Sequence, residues 1–397
     1  MSVAPSNLQV PSVDVATVLA AQLEPDRAPV VIDLRTPKEF AEDHLPGAVN
    51  LPLFKNEERA LVGTLYKRES PARAFAAGRE LVAERIEALF TSIAEAVGWD
   101  LPGVDLPARV LEMTEAGIEG LEGGLEEQPV SALPTSTKPV AVFHCWRGGL
   151  RSRSVVALLV ALGFDRGLCL SGGYRSYRAR VMEELEAWQA PPVAVVRGFT
   201  GTGKTLVLSA IEELRPGWTV DLEACAGHRS SILGMVGREP VSQKRFESRL
   251  AARLRRVGRD RPGGHLVVEG ESRKIGDRIQ PTTVWEALKG GRSVQLTAGV
   301  ERRVDVLLAD YLEVEGSREE LRDQLPFIEK RLGPVQWAGR LTGLLDRGED
   351  RELVRLLLEH YYDPLYTHSE KDYAYELEVE MDDPRRAARE IVDWLER

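Results

Sequence analysis

One short segment constrains the fold of this 397-residue chain more than any other. Residues 198–205 read GFTGTGKT and match the pattern G-x4-G-K-[ST] of a phosphate-binding loop. An apolar run at 193–196 precedes the segment, and a helical pattern at 206–214 follows it. Because strand, loop and helix come in the order that the motif requires, the sequence predicts a parallel α/β sheet whose loop cradles a diphosphate.

The residues of this loop suit a diphosphate rather than a particular nucleotide. Lys204 supplies a positive charge, and the Thr205 hydroxyl suits Mg²⁺ or a phosphate oxygen. The next acidic strand end carries Glu269 and Glu271, where nucleotide hydrolases usually carry Asp, and no base-specificity signature is present. We therefore predict diphosphate binding by Gly198, Thr200, Gly201, Thr202, Gly203, Lys204 and Thr205.

A second glycine loop, in the first half of the chain, contains a cysteine. An apolar strand is predicted over 139–145, the loop reads CWRGGLRS from Cys145, and an apolar helix is predicted over 154–164. Loop N–H groups and the helix N-terminus bind an anion and favour a thiolate over a thiol. The pattern predicts a nucleophilic Cys145 beside an oxyanion site formed by Arg147, Gly148, Gly149 and Arg151.

Composition and charge exclude several other classes of protein. The 3 Cys fit neither a disulfide framework nor a metal site, and we expect Cys169 and Cys225 to be structural. The longest apolar run is about half the length of a membrane span, and the N-terminus lacks a secretory-signal pattern, so we expect a cytoplasmic protein with no membrane contact. The net charge of −10 argues against a generally basic nucleic-acid-binding protein, although basic residues concentrate at 244–261.

A break at 190–192, which reads APP, separates two α/β patterns. We predict an N-terminal parallel-sheet domain over 1–190 and a phosphate-loop α/β domain over 191–397, the latter mostly helical beyond Val300. Residues 98–138 are rich in Gly, Pro and Glu, and this composition predicts an exposed acidic insertion in the first domain.

The segment upstream of the cysteine loop identifies a family resemblance. VIDLRTPKEFAEDHLPGAVNLPL, at 31–53, resembles the N-terminal signature of rhodanese-like sulfurtransferase domains. The resemblance implies scaffold roles for Asp33, Arg35, His44 and Gly47, and LSGGYRSYR at 170–178 resembles the turn after the last strand of such domains. The His-Cys-x5-Arg spacing also fits tyrosine phosphatases, so a Cys-dependent phosphatase or sulfurtransferase fused to a kinase-like P-loop domain is the alternative.

The order of motifs along nearly the whole chain resembles the bacterial tRNA 2-selenouridine synthase family. Beside the two glycine loops, the segments that carry the resemblance lie at 51–67, 221–234, 267–276, 329–333 and 361–366. The resemblance implies an enzyme that geranylates wobble 2-thiouridine of tRNA with geranyl diphosphate and then introduces selenium from selenophosphate. It implies that Cys145 carries selenium as a persulfide-like adduct and that the phosphate loop holds the prenyl diphosphate.

Positions after strand ends and the basic stretch, taken together with the implied tRNA, give further candidate residues. No metal site or tightly bound cofactor is expected, although Mg²⁺ can accompany the diphosphate. Of Tyr361, Tyr362 and Tyr366, at least two are expected to pack between helices rather than stack on a base. The substrate-facing candidates are Glu223, His228, Arg229, Glu269 and Glu271. The candidates for contact with tRNA phosphates are Lys244, Arg245, Arg249, Arg253 and Arg256.

Overall fold

A computed structural model describes residues 8–100, 103–135, 138–257, 264–366 and 373–397. The chain divides into two compact units, Met1–Glu183 and Glu184–Arg397. Each unit contains a parallel sheet with helices, which confirms the predicted α/β class. Within the described residues, no helix is long and apolar enough to span a membrane.

The first unit is built on a parallel sheet of six strands among the described residues, in the order β3-β2-β5-β6-β1-β4. The strands are β1 (Leu8–Val13), β2 (Val30–Asp33), β3 (Val49–Asn50), β4 (Leu125–Pro129), β5 (Ala141–His144) and β6 (Gly167–Leu170). The helices are α1 (Val15–Ala21), α2 (Pro37–Glu42), α3 (Asn56–Arg68), α4 (Pro71–Val97), α5 (Leu106–Met113), α6 (Gly117–Gly124), α7 (Leu150–Ala161) and α8 (Gly173–Ala187).

The second unit has a parallel sheet of five strands in the described part, ordered β13-β12-β7-β9-β8, and a small antiparallel hairpin, β10-β11. The strands are β7 (Val193–Arg197), β8 (Thr219–Val220), β9 (Leu266–Glu269), β10 (Lys274–Ile275), β11 (Arg278–Ile279), β12 (Arg292–Thr297) and β13 (Tyr375–Glu380). The helices around the sheet are α9 (Lys204–Leu214), α10 (Leu222–Ala226), α11 (Gln243–Leu254), α12 (Thr282–Gly290) and α19 (Pro384–Leu395).

The segment from Val300 to Tyr366 is helical, as predicted. It contains α13 (Val300–Leu312), α14 (Ser317–Leu332), α15 (Pro334–Trp337), α16 (Arg340–Asp346), α17 (Asp350–Leu356), a π-helical turn (Leu357–Tyr362) and α18 (Asp363–Tyr366). The C-terminus then returns to the sheet, because β13 pairs with β12 and α19 packs against α9. This last strand was not predicted from the sequence, because its alternating Glu residues resemble a solvated segment.

The prediction of an exposed insertion at 98–138 is wrong. This region forms α5, α6 and β4, and β4 pairs with β1 at the edge of the sheet. Leu106, Val110 and Leu121 are 6 %, 4 % and 2 % exposed and belong to the core of the first unit. Because its few apolar residues share one face, this region is amphipathic despite an average composition typical of a loop.

This burial predicts a difference between two leucines of the region. Leu121→Ala removes a buried side chain and should lower the free energy of unfolding by about 2 kcal/mol or more. Leu111 is 43 % exposed, so Leu111→Ala should change that free energy by less than about 0.5 kcal/mol. Urea unfolding of the full chain measures both, and equal small effects would support an exposed insertion instead.

Candidate functional site

Cys145 lies at the carboxyl end of β5, in the centre of the first sheet. Cys145 is 3 % exposed, and its Sγ lies 3.3 Å from Ser152 Oγ. Gly149 is the N-cap of α7, so the first N–H groups of that helix have no partner within the helix and adjoin the loop at 145–149. The structure thus brings the thiol, the glycine loop and a helix N-terminus together, as the sequence predicted.

A second turn, from the segment at 170–178, supports this loop. The backbone N–H of Tyr174 donates to the carbonyl of Cys145 at 2.9 Å, and the N–H of Arg175 donates to the carbonyl of Trp146 at 3.0 Å. Gly173 packs so closely against the loop that a Cβ there would overlap the Cys145 carbonyl oxygen and the Gly148 nitrogen. The conformation of the cysteine loop therefore depends on the glycine at position 173 of the neighbouring turn.

The two candidate anion-binding arginines of the loop occupy different environments. Arg147 is exposed, next to Gly148, whose φ of 65° favours glycine. Arg151 is half-buried in the first turn of α7, with Nη1 3.8 Å from the Glu39 carboxylate. The oxyanion role of these residues stays a prediction.

A buried polar layer lies beneath the cysteine loop. Arg35 Nη2 donates to Asp33 Oδ2 at 2.6 Å, and both side chains are at most 1 % exposed. The ring of Tyr174 stacks 3.8 Å from the Arg35 guanidinium and donates its hydroxyl to Asp43. Burial lowers the pKa of His144, which lies 3.7 Å from Asp33. The scaffold role implied for Asp33 and Arg35 is confirmed by these contacts.

The phosphate loop connects β7 to α9. Gly198, Gly201 and Gly203 have φ values of 150°, 80° and 81°, in the region that favours glycine. The Lys204 ammonium donates to the carbonyl of Gly198 at 2.8 Å and thus spans the loop. Because α9 begins at Lys204, its first N–H groups face the same space as this ammonium. The loop has the features of a diphosphate site.

Arg303 of α13 supports the backbone of the phosphate loop, a role that was not predicted from the sequence. Its Nε donates to the carbonyl of Thr200 at 2.9 Å, and its Nη1 donates to Asp363 Oδ2 at 3.0 Å. The Arg303 residue surface is only 5 % exposed. Asp363 belongs to the YYDPLY segment at 361–366, which the sequence analysis linked to the family without assigning a role. Arg303 and Asp363 are positioning residues for the loop.

Three predicted glutamates form a carboxylate cluster beside this loop. The buried Glu269 carboxylate accepts from the backbone N–H of Glu223 at 2.9 Å. Burial and the charge of Glu271 raise the pKa of Glu223 to about 8, against a lowering contribution from Lys204. Burial also raises the pKa of Glu269 and Glu271, and Lys204 again lowers the latter. The cluster therefore holds protons near neutral pH and opposes a bound anion less than three carboxylates would.

The two remaining substrate-facing candidates, Arg229 and His228, lie in different environments. The buried Arg229 guanidinium donates to the carbonyls of Val236 and Asp310, both at 2.8 Å, and fixes the loop between α10 and α11. Its contact with a substrate stays a prediction. His228 is half-buried against Gly276 of the β10-β11 hairpin, and burial lowers its pKa. Its substrate contact stays a prediction.

The candidate tRNA-binding residues lie on and just after α11. The apolar face of this helix is buried, and Arg253 and Arg256 are exposed, whereas Arg249 donates to the carbonyl of Ala224 at 3.3 Å. The basic stretch continues into 258–263, outside the described residues. Contact of Lys244, Arg245, Arg249, Arg253 and Arg256 with tRNA stays a prediction.

The tyrosines of the 361–366 segment pack as expected. Tyr361 and Tyr362 are 4 % and 1 % exposed, and the Tyr362 hydroxyl lies 3.3 Å from that of Tyr311. Two of the three tyrosines therefore belong to the helical core. The side chain of Tyr366 lies outside the described part of the chain.

The two sites define the class of protein: a rhodanese-type cysteine loop in one unit and a P-loop in the other. The rhodanese-like domain family matches residues 15–77. The family described as the tRNA 2-selenouridine synthase AAA domain matches residues 191–397. The chain belongs to the tRNA 2-selenouridine synthase family.

Curated relatives match along nearly their whole length. The tRNA 2-selenouridine synthase of Cupriavidus pinatubonensis is 31% identical, over 92% of this chain and 94% of the relative. The protein of the same name from Chromohalobacter salexigens is 30% identical, over 87% of this chain and 89% of the relative. That from Pseudomonas syringae pv. syringae is 30% identical, over 89% and 91%. The resemblance stated from the sequence is thus confirmed.

The support given by Arg303 predicts the effect of a distant substitution. Asp363→Asn leaves the buried Arg303 guanidinium without its counter-charge, so the loop should shift and bind inorganic diphosphate about tenfold more weakly. Asp305 lies on the same helix α13 as Arg303 and forms an exposed ion pair with Arg351. Asp305→Asn should therefore bind diphosphate normally. Calorimetric titration measures both. Normal binding by a folded Asp363→Asn variant would contradict the positioning role.

The raised pKa of Glu223 predicts a pH dependence. Glu223 is neutral below about pH 8 and charged above it, so diphosphate affinity should fall about tenfold between pH 7 and 9. Glu223→Gln should abolish this fall in affinity. The ionisation of diphosphate itself also changes with pH, but it does so equally for wild type and variant and cannot cause a difference between them. Glu213→Gln, at an exposed position of α9, should keep the fall. An identical profile for all three proteins would show that Glu223 does not sense the ligand.

Proposed function

We propose that this protein is a tRNA-modifying transferase that converts wobble 2-thiouridine to 2-selenouridine through an S-geranyl intermediate. Geranyl diphosphate and selenophosphate are the proposed co-substrates, and tRNA is the macromolecular partner. The observation that carries the proposal is the presence of two separate anion loops, one with a thiol, in a chain of this family. We place the activity in the cytoplasm, where its tRNA substrate is found.

The two-step route has a chemical reason. A thiolate leaves poorly from C2 of a uridine, so direct replacement of sulfur by selenium is slow. In the first step the sulfur attacks C1 of geranyl diphosphate, the carbon–oxygen bond breaks, and diphosphate leaves. In the second step the outer selenium of a Cys–S–Se⁻ group adds at C2, and geranylthiolate leaves and takes up a proton. A small-molecule thiol then reduces the selenium–sulfur bond, which releases 2-selenouridine and returns the cysteine to its thiol. Two anionic co-substrates require two anion sites, and the chain has two.

The phosphate loop serves the first step in this proposal. Its N–H groups and the Lys204 ammonium bind the diphosphate and stabilise the charge that develops as it departs. In the structure Lys204 already lies across the loop, held by the Gly198 carbonyl. Thr205, in the first turn of α9, offers a hydroxyl to Mg²⁺ carried by the diphosphate. The raised pKa of the Glu223 carboxyl beside Lys204 limits repulsion of this anion.

The cysteine loop serves the second step. The loop N–H groups together with Arg147 and Arg151 bind the selenophosphate anion. The Cys145 thiolate attacks its selenium, the phosphorus–selenium bond breaks, and phosphite leaves with the electron pair, so that Cys145 carries the selenium. Cys169 and Cys225 are unsuited to this role, because burial raises the pKa of each thiol, that of Cys225 to about 12. Cys145 is the thiol at the carboxyl end of a strand and beside a helix N-terminus.

Nucleoside mass spectrometry tests the proposal. The full chain is incubated with 2-thiouridine-containing tRNA, geranyl diphosphate, selenophosphate and a small-molecule thiol, and wild type should give 2-selenouridine. Cys145→Ala should stop at the S-geranyl nucleoside, Lys204→Ala should lose geranylation by at least about a hundredfold, and Cys225→Ala should behave as wild type.

An unchanged nucleoside in the wild-type reaction would contradict the proposal. Turnover of a generic aryl phosphate would then favour the Cys-dependent phosphatase, whose His-Cys-x5-Arg spacing the loop shares. Formation of 2-selenouridine by Cys145→Ala would keep the function but remove the assigned selenium carrier.

A further inference from the structure

The first unit contains an apolar cavity of about 490 Å³. It lies among α3, α4, α5, α6 and α7, and its walls include Phe54, Val62, Phe75, Val110 and Leu158. The 51–67 segment, which the sequence analysis linked to the family without a role, supplies one wall through α3. Pockets of about 300–1,000 Å³ with apolar walls bind small molecules in many proteins. The function described so far does not use this cavity.

The cavity begins within one helical turn of the cysteine loop. Leu150 and Arg151, the first two residues of α7, line it. The next residue of the same turn, Ser152, places its Oγ 3.3 Å from Cys145 Sγ. Successive helix residues rise by about 1.5 Å, so the cavity and the thiol share one helix N-terminus.

One arginine of the cavity wall has an unused hydrogen-bond donor. Arg79 Nε is buried and donates no hydrogen bond within the described residues, whereas Arg151 Nη1 lies 3.8 Å from the Glu39 carboxylate. At the opening, Tyr66 is 59 % exposed. An apolar interior with the unpaired guanidinium N–H of Arg79 in its wall fits a ligand that has a hydrocarbon chain and an anionic group.

We propose that this cavity binds an isoprenoid chain of about ten carbons, namely the geranyl group on the sulfur of the modified uridine. The proposal rests on the proposed function. In that function the sulfur with its geranyl group is displaced by selenium carried on Cys145, so the chain must be held close to Cys145. The nearby phosphates of the RNA are the anions for Arg79. In the proposed function, the diphosphate of geranyl diphosphate binds the phosphate loop of the second unit.

Binding of synthetic anticodon stem-loops tests this occupant. One carries S-geranyl-2-thiouridine and the other 2-thiouridine, and fluorescence anisotropy with the full chain gives both affinities. Wild type should bind the geranylated RNA at least tenfold more tightly. Val62→Trp fills the cavity and should lose this preference, whereas Leu61→Trp, on the adjacent exposed position of α3 that does not line the cavity, should keep it.

A second variant separates an occupied cavity from a folding defect. Tyr66→Asp changes an exposed residue at the opening and should also reduce the preference at least threefold. In activity assays, Val62→Trp should raise the KM for S-geranyl tRNA in selenation about tenfold and leave geranylation unchanged.

Two results would overturn the proposal. One is equal affinity of wild type for both RNAs. The other is a Val62→Trp variant that geranylates slowly but selenates S-geranyl tRNA normally, which would make geranyl diphosphate the occupant. Failure of the proposed function is distinguishable, because then wild type forms neither product from tRNA, whereas the binding preference is measured on synthetic RNA without turnover.

Discussion

Close backbone approach at glycine holds both anion loops in shape. Gly173 lies against the Cys145 carbonyl, and Gly198 lies against the carbonyl of Leu296, in each case too closely for a side chain. Loop N–H groups bind an anion only when they converge, and convergence needs a rigid support from the neighbouring segment. The thiol, the ammonium and the helix N-termini of both units act at positions that these contacts determine.

At both loops the nearby acidic side chains are either protonated or paired with a positive charge. An anion site near acidic groups works only if those groups are neutral or paired. Beside the phosphate loop, burial keeps the Glu223 carboxyl protonated to about pH 8. Beneath the cysteine loop, Asp33 is neutralised by Arg35 at 2.6 Å. The acidic groups next to each loop are therefore protonated or paired, although the whole chain carries a net charge of −10.

The sequence predicted the parts that depend on local signals and missed those that depend on distant partners. Both glycine loops and their strands are encoded in short contiguous segments, so their positions were predictable. Arg303 and Asp363 are 60 residues apart, and their common support of the loop has no local signature. The hydrogen bonds of Arg229 to the carbonyls of Val236 and Asp310 likewise join residues that are distant in the sequence or have no local signature. β4 was missed because Gly and Glu dominate its surroundings.

The last strand of the second sheet has a consequence for biosynthesis. Met381, directly after β13, packs against Gly203 of the phosphate loop, and its backbone N–H donates to the Thr297 carbonyl at 2.7 Å. The loop therefore lacks one wall until residue 381 has been translated and has left the ribosome. A nascent chain can complete the cysteine unit long before that point, whereas the phosphate loop stays without this contact. A chain truncated before Met381 should fold its first unit and leave the phosphate loop without one of its walls.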